Sequence, residues 1–138
     1  DSLYDGLDLR GEIRTAAARG LGDRLLLWDG PSRLGGFAVC QWGPASEAGV
    51  DTLYVKFGAV RPGPGADARF AALLDATGAL AAAVGMKDVL AGVNLARDEA
   101  YRQMKNLGFR TAIQGVAMHR HNEPGFCRPG VHIIDDWR

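Results

Sequence analysis

A mixed sheet flanked by helices, an α/β fold of the α+β kind, is what this sequence predicts, and three observations predict it. Short apolar runs of strand character succeed one another between Asp23 and Val60. Two helical patterns, Ala66–Val84 and Ala96–Leu107, then alternate with further short apolar runs. Gly and Pro mark nearly every boundary between them. A strand–helix–strand–helix middle flanked by hairpins belongs to a mixed sheet with helices packed on it.

Taken in order, Asp8–Arg19 reads as a helix, because Leu9, Ile13, Ala16 and Ala17 recur at helical spacing and Gly20 follows as a stop. Asp23–Trp28 is a strand, Asp29-Gly30-Pro31-Ser32 a turn, and Gly35–Trp42 the second arm of a hairpin. After a Gly/Pro-rich loop over Gly43–Gly49, Thr52–Val60 supplies a third strand and completes an antiparallel meander. Arg61-Pro62-Gly63-Pro64-Gly65 is a compact turn into an Ala-rich helix, Ala66–Val84, whose apolar stripe is Phe70, Leu73, Leu74, Thr77, Leu80 and Val84. Gly85 ends it. Asp88–Val93 is a short buried strand, Ala96–Leu107 a second helix closed by Gly108, Phe109–His121 a long strand interrupted at Gly115, and Val131–Ile134 a last strand forming a hairpin with it.

The chain's 138 residues suit a single domain, 1–138. Sixteen Lys+Arg balance sixteen Asp+Glu, which argues against a nonspecific nucleic-acid binder. Two cysteines exclude a disulfide-dense scaffold, and no apolar run approaches the ~20 residues of a membrane span. No signal-peptide pattern opens the chain, so it reads as a cytoplasmic protein without membrane or nucleic-acid partners. The unusual figure is 19 Gly, near twice the ordinary ~7% share. Some of the backbone is expected to adopt tight geometry.

The chemistry concentrates between Thr52 and Phe109. A strand there enters a Gly/Pro turn and a helix leaves it directly, presenting unpaired N–H groups and a partial positive charge to any anion. Gly63 and Gly65 permit close backbone approach, and Arg61 and Arg69 place cations at the entrance and in the first turns. A plain turn is the commoner meaning of such a segment. Asn94 stands at the end of the next strand, and Tyr101 lies on the following helix on the face shared with Met104. Taken alone, Tyr101 reads more commonly as a core aromatic with a satisfied hydroxyl.

The strand LYVKFGAV, the turn RPGPGA with its helix, the Asn94-x6-Tyr101 spacing and the closing LGF together resemble the GNAT superfamily of acyl-CoA-dependent N-acyltransferases over roughly Gly35–Val116. The resemblance implies acetyl-CoA as co-substrate, no metal, and direct attack of an amine on the thioester. It implies that Phe57–Val60 splays from its neighbour and holds the pantetheine arm and acyl carbonyl by backbone groups. It further implies that Arg61, Gly63, Gly65 and Ala66 lie in the pyrophosphate turn, that Asn94 contacts the pantetheine arm, and that Tyr101 is the general acid. The implied acceptor is a small-molecule amine or a peptide.

Three departures qualify the likeness. Pro64 takes the place of the turn's central glycine and removes a backbone donor. Lys56 stands where many members carry a Glu base on the strand before the turn, with Asp51 the nearest carboxylate. The family's first strand is missing or unrecognised in DSLYDGLDL. The chain therefore also resembles the C-terminal half of a tandem-GNAT protein, completed by a preceding GNAT domain or by a homodimer. The rival function is a noncatalytic scaffold, dimerisation or regulatory module.

Other residues carry weaker readings. His119 and His121 share one face of the expected strand. With Cys127 or His132 they would make a metal site of no recognised spacing, and more simply they are exposed strand histidines. Either one, or Glu123, is a candidate base at an acceptor groove. Cys40 reads as a buried small hydrophobe and Cys127 as a solvated loop residue, while Trp28, Trp42 and Trp137 read as core or interface. Arg97-Asp98-Glu99 reads as the solvated start of a helix.

Overall fold

The computed structural model describes residues 3, 8–116, 118, 121 and 129–135. In chain order its elements are α1 (Arg10–Ala18), β1 (Gly22–Trp28), β2 (Leu34–Gly43), β3 (Gly49–Val60), α2 (Ala66–Ala83), β4 (Asp88–Ala91), α3 (Asp98–Asn106) and β5 (Ile133–Asp135). The strands form one five-stranded mixed sheet flanked by helices. β1, β2 and β3 make the expected antiparallel meander, and β4 joins β3 in parallel through the α2 crossover.

A bulge in β3 decides which side chains face which layer. Val39 pairs with Phe57 and Cys40 with Val55, so Lys56 is an extra residue and the alternation shifts by one there. Leu53 and Val55 thus pack with Phe70, Leu73 and Leu74 of α2, whereas Phe57 and Ala59 belong to a second cluster on the opposite face with Phe37, Leu9 and Ile133. The stripe read for α2 is the one that faces the sheet, with Phe70, Leu73, Leu74 and Thr77 buried.

Two sequence expectations are corrected. The long strand over Phe109–His121 is absent from its described part: residues 109–116 hold no regular structure, and Ile113, Val116 and Met118 are more than four-fifths exposed. These residues pair with no strand of the sheet, although β1 and β4 each have an outer edge, so their polar backbone is left to water. The last strand accordingly does not close a hairpin with that segment. Val131–Ile134 is a run of apolar and aromatic-ring side chains that needs cover on both faces, and it finds this beside β3, with all four residues buried.

Phe70 is fully buried at the sheet–α2 junction. Phe70→Ala is expected to cost ~3–5 kcal/mol of stability, measured by urea unfolding. Cys40 is buried opposite Asp23, and burial first, then that carboxylate, pushes its thiol up to about 12. In a Cys127→Ser background the native protein should resist alkylation at pH 8 until it unfolds. Because the folded value lies above the unfolded one, the Cys40 contribution is fully present below about pH 9 and lost as pH climbs towards about 12. A Cys40→Ala partner should lack that alkaline decline.

Candidate functional site

β3 runs for 12 residues but β4 for only four, and their parallel pairing spans Thr52–Val55 against Asp88–Ala91. Beyond Val55 the two strands part, and the turn Arg61–Gly65 and the loop with Asn94 both issue from their C-terminal ends. That rim is where ligands of parallel sheets bind, because crossover helices begin there and aim their N-termini into the crevice. Val60, Arg61, Gly63, Gly65 and Ala66 are contiguous on it, Asn94 follows the adjacent strand, and Tyr101 lies in the first turns of α3.

The turn is built for a left-handed backbone. Gly63 has φ 97° and Gly65 φ 79°, conformations that a Cβ would strain. Ala66 N–H donates to Gly63 O and Arg69 N–H to Gly65 O, which leaves the Asp67 and Ala68 amides of the first helical turn without a carbonyl partner among the described residues. Pro64 contributes no N–H, as the sequence indicated.

Both arginines donate to backbone carbonyls. Arg61 donates through Nε and Nη2 to Leu34 O at 3.0 and 2.7 Å, although its side chain stays exposed. Arg69 folds under the turn, donating through Nη2 to Arg61 O at 2.8 Å and Pro64 O at 3.0 Å and meeting Asp29 Oδ2 at 3.4 Å. Arg69 therefore holds the turn's shape from beneath. Lys56, where a base was sought, lies 3.6 Å from Glu47, and Asp51 pairs with Lys87 at 3.0 Å.

Asn94 Oδ1 accepts from Ala96 N–H at 2.9 Å, and Asn94 O accepts from Arg97 N–H, so this residue shapes the entry to α3. That turn delays the helix to Asp98, two residues later than its periodicity suggested. Tyr101 is half-buried, and its hydroxyl has no hydrogen-bond partner among the described residues.

The gap between the parted strands is occupied by β5. It pairs antiparallel with β3 (Phe57 with Asp135, Gly58 with Ile134, Ala59 with Ile133), and Val60 N–H donates to His132 O at 3.3 Å. On its other side Asp135 N–H donates to Gly92 O, and a Cβ at Gly92 would collide with Asp135 O. Arg97, read from sequence as solvated, is instead buried: Nη1 donates to Ile133 O at 3.2 Å and Nη2 to Asp135 Oδ2 at 2.7 Å. Its Nε has no partner among the described residues. His132 lies with its ring tilted at 49° against Phe70, centroids 5.2 Å apart, and puts Nε2 2.8 Å from Asp67 Oδ1, off the line of a hydrogen bond.

Arg97, Asp135 and Asp67 carry no sequence signal as site residues, and His132 reads from the sequence only as a partner of His119 and His121 in a metal site. Val131 and Ile133 on one side of the pleat and Ile134 on the other signal a strand buried on both faces, but nothing local marks Arg97. Of the other histidine and cysteine candidates, His121 is exposed, while His119, Glu123, Cys127 and Trp137 lie outside the described residues.

No family model and no curated protein matches the sequence. Among solved structures the chain is similar to TTHA1254 from Thermus thermophilus, at 23% identity and a TM-score of 0.61 over 88% of each chain. A point mutant of that protein gives 0.62. The chain is also similar to aminoglycoside N-acetyltransferase AAC(6')-Iy in complex with CoA, at 14% identity and a TM-score of 0.54, covering 80% of this chain and 89% of that one. The fold is GNAT-like.

If Arg69 holds the turn through two carbonyls, Arg69→Met should cost ~1–3 kcal/mol and speed amide exchange at Ala66 and at residue 69, whose N–H groups bond Gly63 O and Gly65 O. Asp29→Asn, which touches only the half-exposed ion pair, should cost under ~1 kcal/mol. Equal costs in the two variants would count against the carbonyl role.

Proposed function

We propose that this chain is an acyl-CoA-dependent N-acetyltransferase domain that moves an acetyl group from acetyl-CoA to an amine of a small molecule or peptide. The observation that carries the proposal is the rim where β3 and β4 part: β3 leads through a left-handed glycine turn into the start of α2 with two amides unpaired. The likeness in fold to a CoA-bound N-acetyltransferase supports it.

The turn suits a pyrophosphate in its backbone, since Gly63 and Gly65 leave no Cβ in the way and exposed Arg61 adds a cation at its mouth. Pro64 and the carboxylate of Asp67 weaken it. In this reading Val60 offers backbone groups to the pantetheine arm, Ala66 closes the turn, and Asn94 lines the arm from the neighbouring strand. Acetyl-CoA supplies an activated carbonyl; the amine's lone pair forms the C–N bond, the nitrogen releases its surplus proton to bulk water, the C–S bond breaks, and a thiolate leaves. Tyr101 hands its hydroxyl proton to that sulfur, and bulk water restores it. The chain's main contribution is positioning together with backbone stabilisation of the developing oxyanion.

The second reading is a noncatalytic GNAT-like module, paired with a preceding GNAT domain or a second copy. The occupation of the strand edge by β5 favours it.

Acetyl-CoA titrated calorimetrically into the chain to millimolar concentration is expected to bind, and absence of binding overturns the transferase reading. Given turnover with an amine panel, Tyr101→Phe should lower kcat by ~10²–10³-fold with little change in acetyl-CoA affinity. An unchanged rate removes Tyr101 from the role of acid.

A further inference from the structure

The backbone edge of β3 beyond Val55 is a row of N–H and C=O groups that β4 is too short to reach. Such an edge recognises any extended chain bearing amides, because main-chain hydrogen bonds supply the affinity whatever the source. Here the source is the protein's own residues 131–135. They bond to β3 on one side and to Gly92 O on the other, so the segment is inserted between the parted strands and does not simply lie against an outer edge. Gly92 leaves room for it, since a side chain there would strike Asp135 O.

Arg97 fastens the insert. Its side chain is 1% exposed, and the two bonds it makes both end on β5, at Ile133 O and Asp135. The only described carboxylate within ion-pair distance of it is thus carried by the segment that fills the gap. At the other end His132 reaches the start of α2, within 2.8 Å of Asp67 and beside Phe70, below the glycine turn. The insert therefore spans the whole distance from the loop after β4 to the helix N-terminus.

We infer that β5 is an internal competitor: the segment Val131–Asp135 occupies the groove in which an acyl-CoA's amide-bearing arm would lie, and binding there requires β5 to leave. This rests on the transferase reading and adds its regulation. Affinity for CoA is then lowered by the fraction of molecules whose groove is open. Anything that loosens β5 without touching the groove raises affinity, and anything that locks β5 abolishes binding.

A reversible lock tests this in the full chain. The Val60–His132 hydrogen bond makes that pair a hydrogen-bonded one, so Ala59–Ile133 is the adjacent non-hydrogen-bonded pair, where opposing side chains come closest. Ala59→Cys with Ile133→Cys, in a Cys127→Ser background, is oxidised to the disulfide or reduced, and each form is titrated with coenzyme A. The expected result is binding by the reduced form and at least tenfold weaker binding by the oxidised form. Equal binding by both overturns the competition while leaving the transferase reading intact. No binding by the reduced form or by the unaltered chain overturns both.

Asp135→Asn gives an independent measurement without a new covalent bond. It removes the anion facing Arg97 and should tighten coenzyme A affinity about tenfold. In the unaltered chain, coenzyme A should accelerate amide exchange at Asp135, which loses Gly92 O, while Val60 stays protected. Unchanged affinity in Asp135→Asn together with retained Asp135 protection on adding coenzyme A counts decisively against the inference.

Discussion

The molecule is organised by a mismatch in strand length. Twelve residues of β3 need ladder partners along both edges, and β2 satisfies one edge almost throughout. On the other edge four residues of β4 end at Ala91, and a buried backbone cannot be left unpaired without cost comparable to a lost hydrogen bond. The fold meets this by bringing a segment more than 70 residues away in sequence to Phe57–Ala59. Burial of Arg97, the bare Cα of Gly92 and the apolar run 131–134 all follow from that one insertion.

The same mismatch defines what the rim can do. On the proposed reading, parted parallel strands with a helix starting at their ends would give an anion and an extended chain adjoining sites, with the glycine turn at the first of these. Arg69 shows how the turn holds its conformation. A guanidinium that bonds the carbonyls of Arg61 and Pro64 fixes the loop from below, so the loop needs no ligand to be formed. Overall charge neutrality is no obstacle to an anionic ligand, because the fields that matter there come from Arg61 and the first amides of α2, both local.

What was legible in the sequence was local. The meander, the turn, α2 and its stripe follow from apolar periodicity and from glycines at positive φ, each set within a few residues. The start of α3 shifted because Asn94 caps the preceding loop with its own side chain, a competition that periodicity does not register. The strand expected over Phe109–His121 had apolar alternation on either side of Gly115, yet residues 109–116 join no ladder, because pairing is a nonlocal event that alternation does not register. Arg97 failed in the opposite sense. It stands at a helix start among acids, where a charge is normally solvated, and only the arrival of Asp135 from far along the chain makes its burial tolerable.

Whether β5 can leave is a question of magnitudes. Burying Val131, Ile133 and Ile134 contributes ~1.5–3 kcal/mol each at most. Fixing the backbone of the five residues that carry them costs ~1–2 kcal/mol apiece, a total of similar size. The buried Arg97–Asp135 pair adds little net stability relative to its solvated partners, since desolvation offsets attraction. Its loss also leaves no stranded charge if Arg97 gains water when the gap opens. The hold on β5 is therefore a small difference between comparable terms, set by a few main-chain bonds worth ~0.5–1.5 kcal/mol each. A ligand that offers β3 the same bonds replaces them one for one. A groove filled by such a strand is closed to casual binding yet remains open to a ligand of matching chemistry.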